Sequence, residues 1–167
     1  KLVSIDILGK MKLQSDIIIN RSVIASRYVN YNFRSFTKFH LGAEYVVLHP
    51  PFWEKRSRII SPEVKKVLVC FGGGDEFNLT TRMLKILEKF PSIETTVILG
   101  AAFKGDRELQ QFLSTAKNKY VVKKNISAMV DEFYNTDIAI CAGGLTLYEL
   151  AVTGTPALII PMNDHQV

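Results

Sequence analysis

Hydrophobic residues from position 67 onward alternate between short continuous runs and stripes with helical spacing. The runs predict five strands, at Val67–Cys70, Thr95–Leu99, Tyr120–Val122, Asp137–Cys141 and Pro156–Ile160. The stripes predict four intervening helices, which begin near Asn78, Asp106, Asn125 and Leu147. Mostly apolar strands that alternate with amphipathic helices are typical of a parallel sheet with helices on both faces. The pattern therefore predicts an α/β domain.

The first 66 residues have a less regular pattern. Leu2–Ile5 and Asp16–Ile19 predict two short strands, whereas residues 22–39 show no clean period and are predicted to be irregular. Leu41–Leu48 predicts a turn that leads into a strand, which the two following prolines end. Residues 51–66 are polar and basic, and they predict a linker.

The overall composition excludes several classes of protein. The 167 residues are 47% hydrophobic and 22% charged, which excludes disordered, collagen-like and disulfide-stapled chains. The net charge of +5 favours anionic ligands such as phosphates. Because the basic residues flank strands and are not interleaved with aromatic residues, we do not expect binding to nucleic acid.

The cysteines bear on metal binding, and the lengths of the apolar runs bear on the location of the protein in the cell. Cys70 and Cys141 each lie just before a glycine-rich turn, and neither belongs to a Cys/His cluster with zinc-site spacing, so we expect no metal and no cofactor. If their strands are adjacent, we expect two neighbouring, buried, non-catalytic thiols. No apolar run approaches the roughly 20 residues of a membrane span, and no signal-peptide pattern is found. We therefore expect a cytoplasmic protein.

Two of the predicted strands lead into glycine-rich turns, Gly72–Gly74 and Gly143–Gly144. Glycine lets backbone N–H groups approach an anion closely, and the dipole of the following helix favours negative charge. Glycine also makes tight turns, which explains either segment alone equally well. Two such turns at neighbouring strand ends favour a phosphate site, to which Thr146 would add a hydroxyl.

Three further segments carry candidate ligand-binding groups near strand ends. Glu149 lies in the first turn of its helix, where the carboxylate either accepts hydrogen bonds from a ribose diol or complements the helix dipole. Asn125, Ile126 and Met129 begin a helix after the third strand of the domain, and they either contact a flat base or belong to the core. The polar cluster Asn163–Gln166 suits sugar hydroxyls or simply begins another helix.

Taken together, several segments resemble the C-terminal half of a GT-B nucleotide-sugar enzyme, which is a Rossmann-like parallel sheet. They are Phe71–Asp75, Asn125–Met129, Asp137–Leu150, Gly154–Pro156 and Asn163–Gln166. The chain is similar to the UDP-sugar hydrolases of pseudaminic acid synthesis. Leu2–Asp6, Ser15–Asn20 and Leu41–Pro50 resemble upstream parts of the same family. The most specific segment, Ala142–Leu150, has a related form in MurG-like glycosyltransferases.

The resemblance implies that this half binds uridine diphosphate. Backbone near Asn125 and Ile126, beside Met129, would contact uracil, and Glu149 would hold the ribose. The diphosphate would lie among residues of both glycine turns, namely Gly72, Gly73, Gly74, Gly143, Gly144, Leu145 and Thr146. The sugar would face Asn163, Asp164 and Gln166. Helix dipoles and backbone donors, without a metal, would stabilise the departing diphosphate.

The resemblance also implies a domain organisation. Residues 1–50 would be a remnant of an N-terminal domain with the crossover, residues 51–66 a linker, and residues 67–167 a nucleotide-binding domain truncated at its C-terminus. The family's general base, a histidine near its own N-terminus, has no counterpart here. We therefore expect no catalytic residue in this chain, and we expect the isolated chain to bind nucleotide without turning over substrate.

Three functions follow as hypotheses. The first is the UDP-binding half of a hydrolase that cleaves a UDP-diacetamido sugar with water in surface-polysaccharide biosynthesis. The alternative is the donor-binding domain of a MurG-like glycosyltransferase, and a second alternative is a non-catalytic nucleotide-sugar-binding subunit. The expected partners are UDP or a UDP-sugar, together with a separate N-terminal half or a second copy of the chain.

Overall fold

The computed structural model of the protein describes residues 1–7, 13–25 and 36–162. The chain divides into two compact units, residues 1–49 and residues 50–167. Each unit contains its own sheet, and all strand pairs in both sheets are parallel.

The first unit contains a three-stranded sheet in the order β1-β2-β3. Its strands are β1 (Val3–Asp6), β2 (Ile17–Asn20) and β3 (Lys38–Leu41). Val3 pairs with Ile17, and Ile17 pairs in turn with Lys38. Strands β1 and β2 confirm the two strands predicted from the short β-branched runs.

Strand β3 differs from the prediction. The strand expected within Leu41–Leu48 is absent, because β3 ends at Leu41 and a 3₁₀ turn follows at Ala43–Tyr45. A strand needs the edge of a partner, and β2 offers its edge to Lys38–Leu41, whereas Val47 is 64% exposed. Residues 26–35 of the segment predicted to be irregular lie outside the described residues.

The second unit has the predicted alternation of strands and helices. Its strands are β4 (Lys66–Cys70), β5 (Glu94–Leu99), β6 (Tyr120–Lys124), β7 (Ile138–Ala142) and β8 (Ala157–Ile160). Its helices are α1 (Leu79–Leu87), α2 (Asp106–Thr115), α3 (Met129–Tyr134) and α4 (Thr146–Thr153). None of the helices in the described residues is both long enough and apolar enough to cross a bilayer.

The sheet of the second unit has the order β6-β5-β4-β7-β8, which is a Rossmann-like arrangement. The predicted α/β fold with a parallel sheet flanked by helices is therefore confirmed. The central strand β4 is buried along Val67–Cys70, as expected for a strand covered on both faces. Val69, Leu84 of α1 and Leu109 of α2 are completely inaccessible, so the two helices pack on the sheet through their apolar stripes.

The segment predicted as a linker belongs to the second unit, and part of it packs against α3. Phe52 is 5% exposed, and its ring centroid lies 6.2 Å from that of Phe133. The Arg58 guanidinium donates to the carbonyl oxygens of Phe133 and Thr136, both at the end of α3. These contacts attach residues 50–58 to the C-terminal end of α3, while the domain boundaries drawn from the sequence stay predictions.

Candidate functional site

The sheet of the second unit reverses its winding between β4 and β7. The chain runs outward from β4 through β5 to β6 and then returns to β7 on the other side of β4. A crevice forms at such a switch point, and ligands bind there at the carboxyl ends of the strands. Cys70 in β4 pairs in register with Cys141 in β7. The two glycine-rich turns therefore leave neighbouring strand ends, as predicted.

Two clefts open at this edge of the sheet. The Asn125 cleft has a volume of about 500 Å³, and its walls include Gly72, Gly73, Asn125, Ile126, Met129 and Thr146. The Phe77 cleft has a volume of about 620 Å³, and its walls include Gly74, Glu76, Phe77, Gly144, Leu145 and Thr146. Cys70, Gly72 and Thr146 line both, so the two clefts are contiguous.

The turn after β4 is fixed by the turn after β5. Gly72 has a φ of +76°, a conformation that glycine adopts without strain. A Cβ added at Gly100 would lie 2.5 Å from the Gly72 carbonyl oxygen and 2.5 Å from the Gly73 Cα. The N–H of Ala102 donates to the Gly73 carbonyl oxygen at 3.0 Å. The close backbone contact at Gly100 thus determines where the Gly72–Gly73 backbone lies.

The N-terminus of α1 is capped by a carboxylate from the same turn. The two Asp75 carboxylate oxygens accept hydrogen bonds from the N–H groups of Leu79 and Thr80, each at 2.8 Å. Asn78, near which the sequence predicted the helix to begin, makes no side-chain capping bond; its amide instead contacts Thr81 and Glu108. The positive end of this helix dipole therefore already faces a carboxylate of the protein.

The N-terminus of α4 is arranged differently. Helix α4 begins at Thr146, two residues after Gly144, and no side chain caps it. The N–H groups of Leu147 and Tyr148 donate to the carbonyl oxygens of Gly144 and Leu145. The N–H groups of Leu145 and Thr146 donate to no acceptor among the residues that the structure describes. Since both residues line the clefts, this helix end has donors available for an anion.

At two glycines of these turns, neither the backbone conformation nor a neighbouring atom requires glycine. Gly73 and Gly144 both lie outside the positive-φ region, and a Cβ added at either one would meet no atom within 4 Å. Each glycine lines one of the clefts. A Cβ at either position would occupy cleft volume without meeting another atom of the described residues.

Cys70 lines both clefts, and Cys141 lies beside it in β7. Cys141 is inaccessible and Cys70 is 7% exposed. Burial, together with the neighbouring Cys70 and Glu149, raises the pKa of the Cys141 thiol to about 12, and burial raises that of Cys70 as well. These values fit the predicted buried, non-catalytic thiols. The negative charge of Glu149 contributes to raising the pKa of both thiols.

Of the residues predicted to contact a base, only Met129 lies in α3, whereas the sequence predicted a helix that begins at Asn125. Helix α3 begins at Met129, so Asn125 and Ile126 belong to the connection from β6. Asn125 has a φ of +51°, and its N–H donates to the Leu99 carbonyl oxygen at 3.2 Å. This bond holds the connection against the end of β5, where Asn125, Ile126 and Met129 line one wall of the Asn125 cleft.

The family model of the glycosyltransferase family 28 C-terminal domain matches residues 67–167, which is more than half of the chain. The chain belongs to this family. It therefore carries a glycosyltransferase-type domain of the GT-B class, and the predicted resemblance to GT-B nucleotide-sugar enzymes is confirmed at that level. The narrower likeness to UDP-sugar hydrolases stays a prediction.

Three relatives illustrate the range of similar proteins. The chain is 28% identical over 162 residues to an uncharacterized protein of Methanocaldococcus jannaschii, covering 91% of this chain and 33% of that protein. It is 29% identical over 165 residues to the spore coat polysaccharide biosynthesis protein SpsG of Bacillus subtilis, covering 95% and 47%. It is 26% identical over 120 residues to a UDP-N-acetylglucosamine–N-acetylmuramyl-(pentapeptide) pyrophosphoryl-undecaprenol N-acetylglucosamine transferase of Rickettsia rickettsii, covering 65% and 32%. The chain thus spans from a third to about half of these relatives.

The structure of this family 28 domain brings most of the predicted site residues to one edge. Gly143 lies in the turn between β7 and α4, and Glu149 lies one turn into α4. The predicted sugar-facing residues Asn163, Asp164 and Gln166 lie outside the described residues.

Sequence reasoning missed the contributions of Gly100, Glu76 and Phe77 to the clefts. The sequence could have indicated Gly100, because this glycine directly follows β5, the strand next to β4. No sequence pattern indicated Glu76 or Phe77, because only the folded turn brings them to the same cleft as Leu145.

The described residues contain no group of three or more His, Cys, Asp or Glu side chains that could hold a metal ion. Metal-independent chemistry stays a prediction, as does the cytoplasmic location.

Proposed function

We propose that this domain binds the UDP portion of a UDP-sugar along the two contiguous clefts. The observation that carries the proposal is the continuous path from Asn125 past Gly72 and Thr146 to Gly144, along which Gly73 and Gly144 leave room for a ligand. A nucleoside diphosphate has the matching order of a flat base, a ribose and two charged phosphates.

The Asn125 cleft suits the base. Ile126 and Met129 supply apolar surface, and the backbone around Asn125 supplies polar groups at the rim of the cleft. Pockets for small ligands commonly combine apolar walls with a few placed polar groups. Glu149, in the first turn of α4, would accept hydrogen bonds from the ribose hydroxyls.

The start of α4 suits the diphosphate. The N–H groups of Leu145 and Thr146, the Thr146 hydroxyl and the dipole of α4 all favour negative charge there. When the bond between the sugar and the phosphate oxygen breaks, negative charge develops on the departing UDP. Donors that are already in place stabilise that charge without reorganisation, which is the general basis of electrostatic catalysis.

The reaction of the complete protein is part of the proposal. On the family resemblance, we propose a hydrolase that cleaves a UDP-diacetamido sugar with water in surface-polysaccharide biosynthesis. Transfer of the sugar to a carbohydrate hydroxyl is the second candidate, favoured by the glycosyltransferase family match. In both cases the group that activates the acceptor would lie in another part of the protein. If this chain instead acts as a subunit, a separate N-terminal half or a second copy of the chain would supply that group.

Nucleotide binding is tested by calorimetric titration of this chain with UDP, with UMP, ADP and NAD as comparators. We expect selective UDP binding that is lost in Glu149→Ala and retained in Glu94→Ala, a matched change on β5 outside both clefts. Equal affinity for all four nucleotides would contradict the proposal.

The acceptor is tested with the full-length protein. Release of free sugar and UDP from a UDP-diacetamido sugar in buffer alone is expected for the hydrolase. Turnover only after a carbohydrate acceptor is added would overturn hydrolysis and favour the transferase.

A further inference from the structure

Arg58 joins the C-terminal ends of two helices through one guanidinium nitrogen. Its Nη1 donates to the Phe133 carbonyl oxygen of α3 at 2.8 Å and to the hydroxyl oxygen of Thr155, two residues after α4, at 3.0 Å. Its Nη2 donates to the Thr136 carbonyl oxygen, just beyond α3. Because a guanidinium group is planar and its donors have fixed directions, these bonds set the positions of the two helix ends relative to each other.

The bond to Thr155 continues into α4 through two buried hydroxyl groups. The Thr155 and Thr153 hydroxyl oxygens lie 2.7 Å apart, and the Thr153 hydroxyl donates to the Glu149 carbonyl oxygen at 3.0 Å. Arg58 can only donate, so the Thr155 hydroxyl accepts from it and has its own hydrogen available for Thr153. The other acceptor within reach of Thr155, the Phe133 carbonyl oxygen, lies farther away at 3.3 Å. A hydrogen-bonded path therefore leads from Arg58 to the backbone of the residue proposed to hold the ribose.

The same two helices reach the Asn125 cleft at their other ends. Met129 is the first residue of α3 and Thr146 is the first residue of α4, and both line that cleft. In the proposed function Met129 lies beside the base and Thr146 lies beside the diphosphate. The separation of the two helices therefore matters most to a ligand that contacts both residues at once.

The surroundings of Arg58 are not those of a contact selected for stability alone. Its Nε is buried and has no hydrogen-bond partner among the described residues. A buried polar group without a partner destabilises the folded state, and a buried charged side chain is weak evidence for a contribution to stability. A role in fixing the geometry of α3 and α4 accounts for a charged side chain at this position.

We propose that Arg58 is a positioning residue for nucleotide binding. By holding the C-terminal ends of α3 and α4 together, it sets the separation of Met129 and Thr146 in the Asn125 cleft. Arg58 itself lines neither cleft and would not contact the ligand. The inference rests on the proposed function, and it adds a residue of the segment predicted as a linker to those on which UDP binding depends.

The test compares the affinities of the ¹⁵N-labelled chain for UDP, uridine and inorganic pyrophosphate, measured from amide chemical shifts at a temperature where each variant is folded. Arg58→Lys keeps the positive charge, but an ammonium group does not reproduce the planar set of donors. We expect UDP affinity to fall about tenfold, the scale of one lost hydrogen bond. Uridine and pyrophosphate should bind as they do to the parent chain, because each contacts only one side of the cleft.

Two further variants accompany Arg58→Lys. Thr155→Val removes the bond towards α4 and leaves Arg58 bonded to α3, so we expect the same pattern with a smaller loss of UDP affinity. Arg56→Lys is the matched control, since Arg56 belongs to the same segment but pairs with Asp131 of α3 and with Glu54. This control should bind UDP as tightly as the parent.

The outcomes separate this inference from the proposed function. If the unmodified chain binds UDP no better than ADP, the proposed function fails, and the inference fails with it. If the unmodified chain binds UDP selectively and both Arg58→Lys and Thr155→Val bind it equally well, the inference is overturned while the proposed function stands. Equal losses of affinity for UDP, uridine and pyrophosphate would show a general disturbance of the fold, and they would overturn the inference as well.

Discussion

The turns after β4 and after β7 look alike in sequence, but the helices that follow them begin with different hydrogen bonding. Both follow a buried strand, both contain consecutive glycines, and both precede a helix. After β4, however, Asp75 occupies the N-terminus of α1, whereas after β7 the N–H groups of Leu145 and Thr146 donate to no described acceptor. If the domain binds a diphosphate as proposed, we therefore expect it at the start of α4, where backbone N–H groups are not capped by a side chain.

This difference assigns separate tasks to the two turns. The turn after β7 would bind the charge of the diphosphate, and the turn after β4 would provide room and shape for the ligand. Gly100 helps to fix the shape of the turn after β4, because the absence of a side chain at Gly100 lets the Gly72–Gly73 backbone lie against the end of β5. Three substitutions test this division, and a fourth tests the buried thiol of β7 that precedes the second turn.

The largest effect is expected from Gly144→Val. The added side chain would enter cleft volume beside the N–H donors of α4, so we expect UDP affinity to fall about 100-fold, or about 2.7 kcal/mol. We expect the melting temperature to fall by no more than a few degrees, since a Cβ at this position meets no atom within 4 Å and the methyl groups of valine would extend into the cleft. Ala151→Val, at an exposed position of the same helix, is the control and should keep full UDP affinity. Full affinity in Gly144→Val would place the diphosphate elsewhere.

Gly100→Ala is expected to affect both folding and binding. Its Cβ would lie 2.5 Å from backbone atoms of Gly72 and Gly73, so the turn after β4 must move. Overpacking of this kind costs about 1–3 kcal/mol of unfolding free energy, measured by urea denaturation. We also expect weaker UDP binding at a temperature where the variant is fully folded. A variant as stable as the parent would show that the contact is not rigid.

Asp75→Asn is expected to separate stability from binding. The substitution should lower the unfolding free energy by about 1 kcal/mol. Asn has one acceptor oxygen for the two N–H groups, and it lacks the negative charge that interacts favourably with the helix dipole. UDP affinity should not fall, since α1 takes no part in binding the diphosphate and a nearby negative charge is removed. A tenfold loss of UDP affinity would contradict the division between the two turns.

Cys141→Ala is expected to have the smallest effect, visible only in alkaline solution. The folded-state pKa of the Cys141 thiol is raised to about 12 from an unfolded value of about 8.5, so its contribution to stability is complete below about pH 8.5 and is lost as the pH rises towards the folded value. Unfolding free energies measured between about pH 8 and about pH 10.5 should therefore decline more steeply in the parent than in the variant. Parallel pH profiles would show that the thiol does not resist ionisation.

Much of the second unit could be predicted from sequence because its signals are local. Continuous apolar runs such as Val67–Cys70 and the stripe of α1 determine their elements without help from distant residues. The strand Lys38–Leu41 was missed because pairing with β2, and not its own pattern, makes it a strand. Two local polar residues competed to cap α1, and the backbone path of the turn favours Asp75 over Asn78.

The site was predictable only as far as its strand ends. Glycine spacing and the alternation of strands place Gly73 and Gly144 at one edge of the sheet. The contact between Gly100 and Gly73, and the approach of Phe77 to Leu145, depend on the order of strands and the path of the turns. No spacing rule within a single segment contains that information.

The central claim is that α4, and not α1, binds the diphosphate. Amide chemical shifts of the ¹⁵N-labelled chain test it most directly when UDP and uridine are added in separate titrations. The predicted result is that UDP, but not uridine, shifts the amide signals of Leu145 and Thr146 and leaves those of Leu79 and Thr80 in place. Diphosphate-dependent shifts at Leu79 and Thr80 that equal or exceed those at Leu145 and Thr146 would contradict the account.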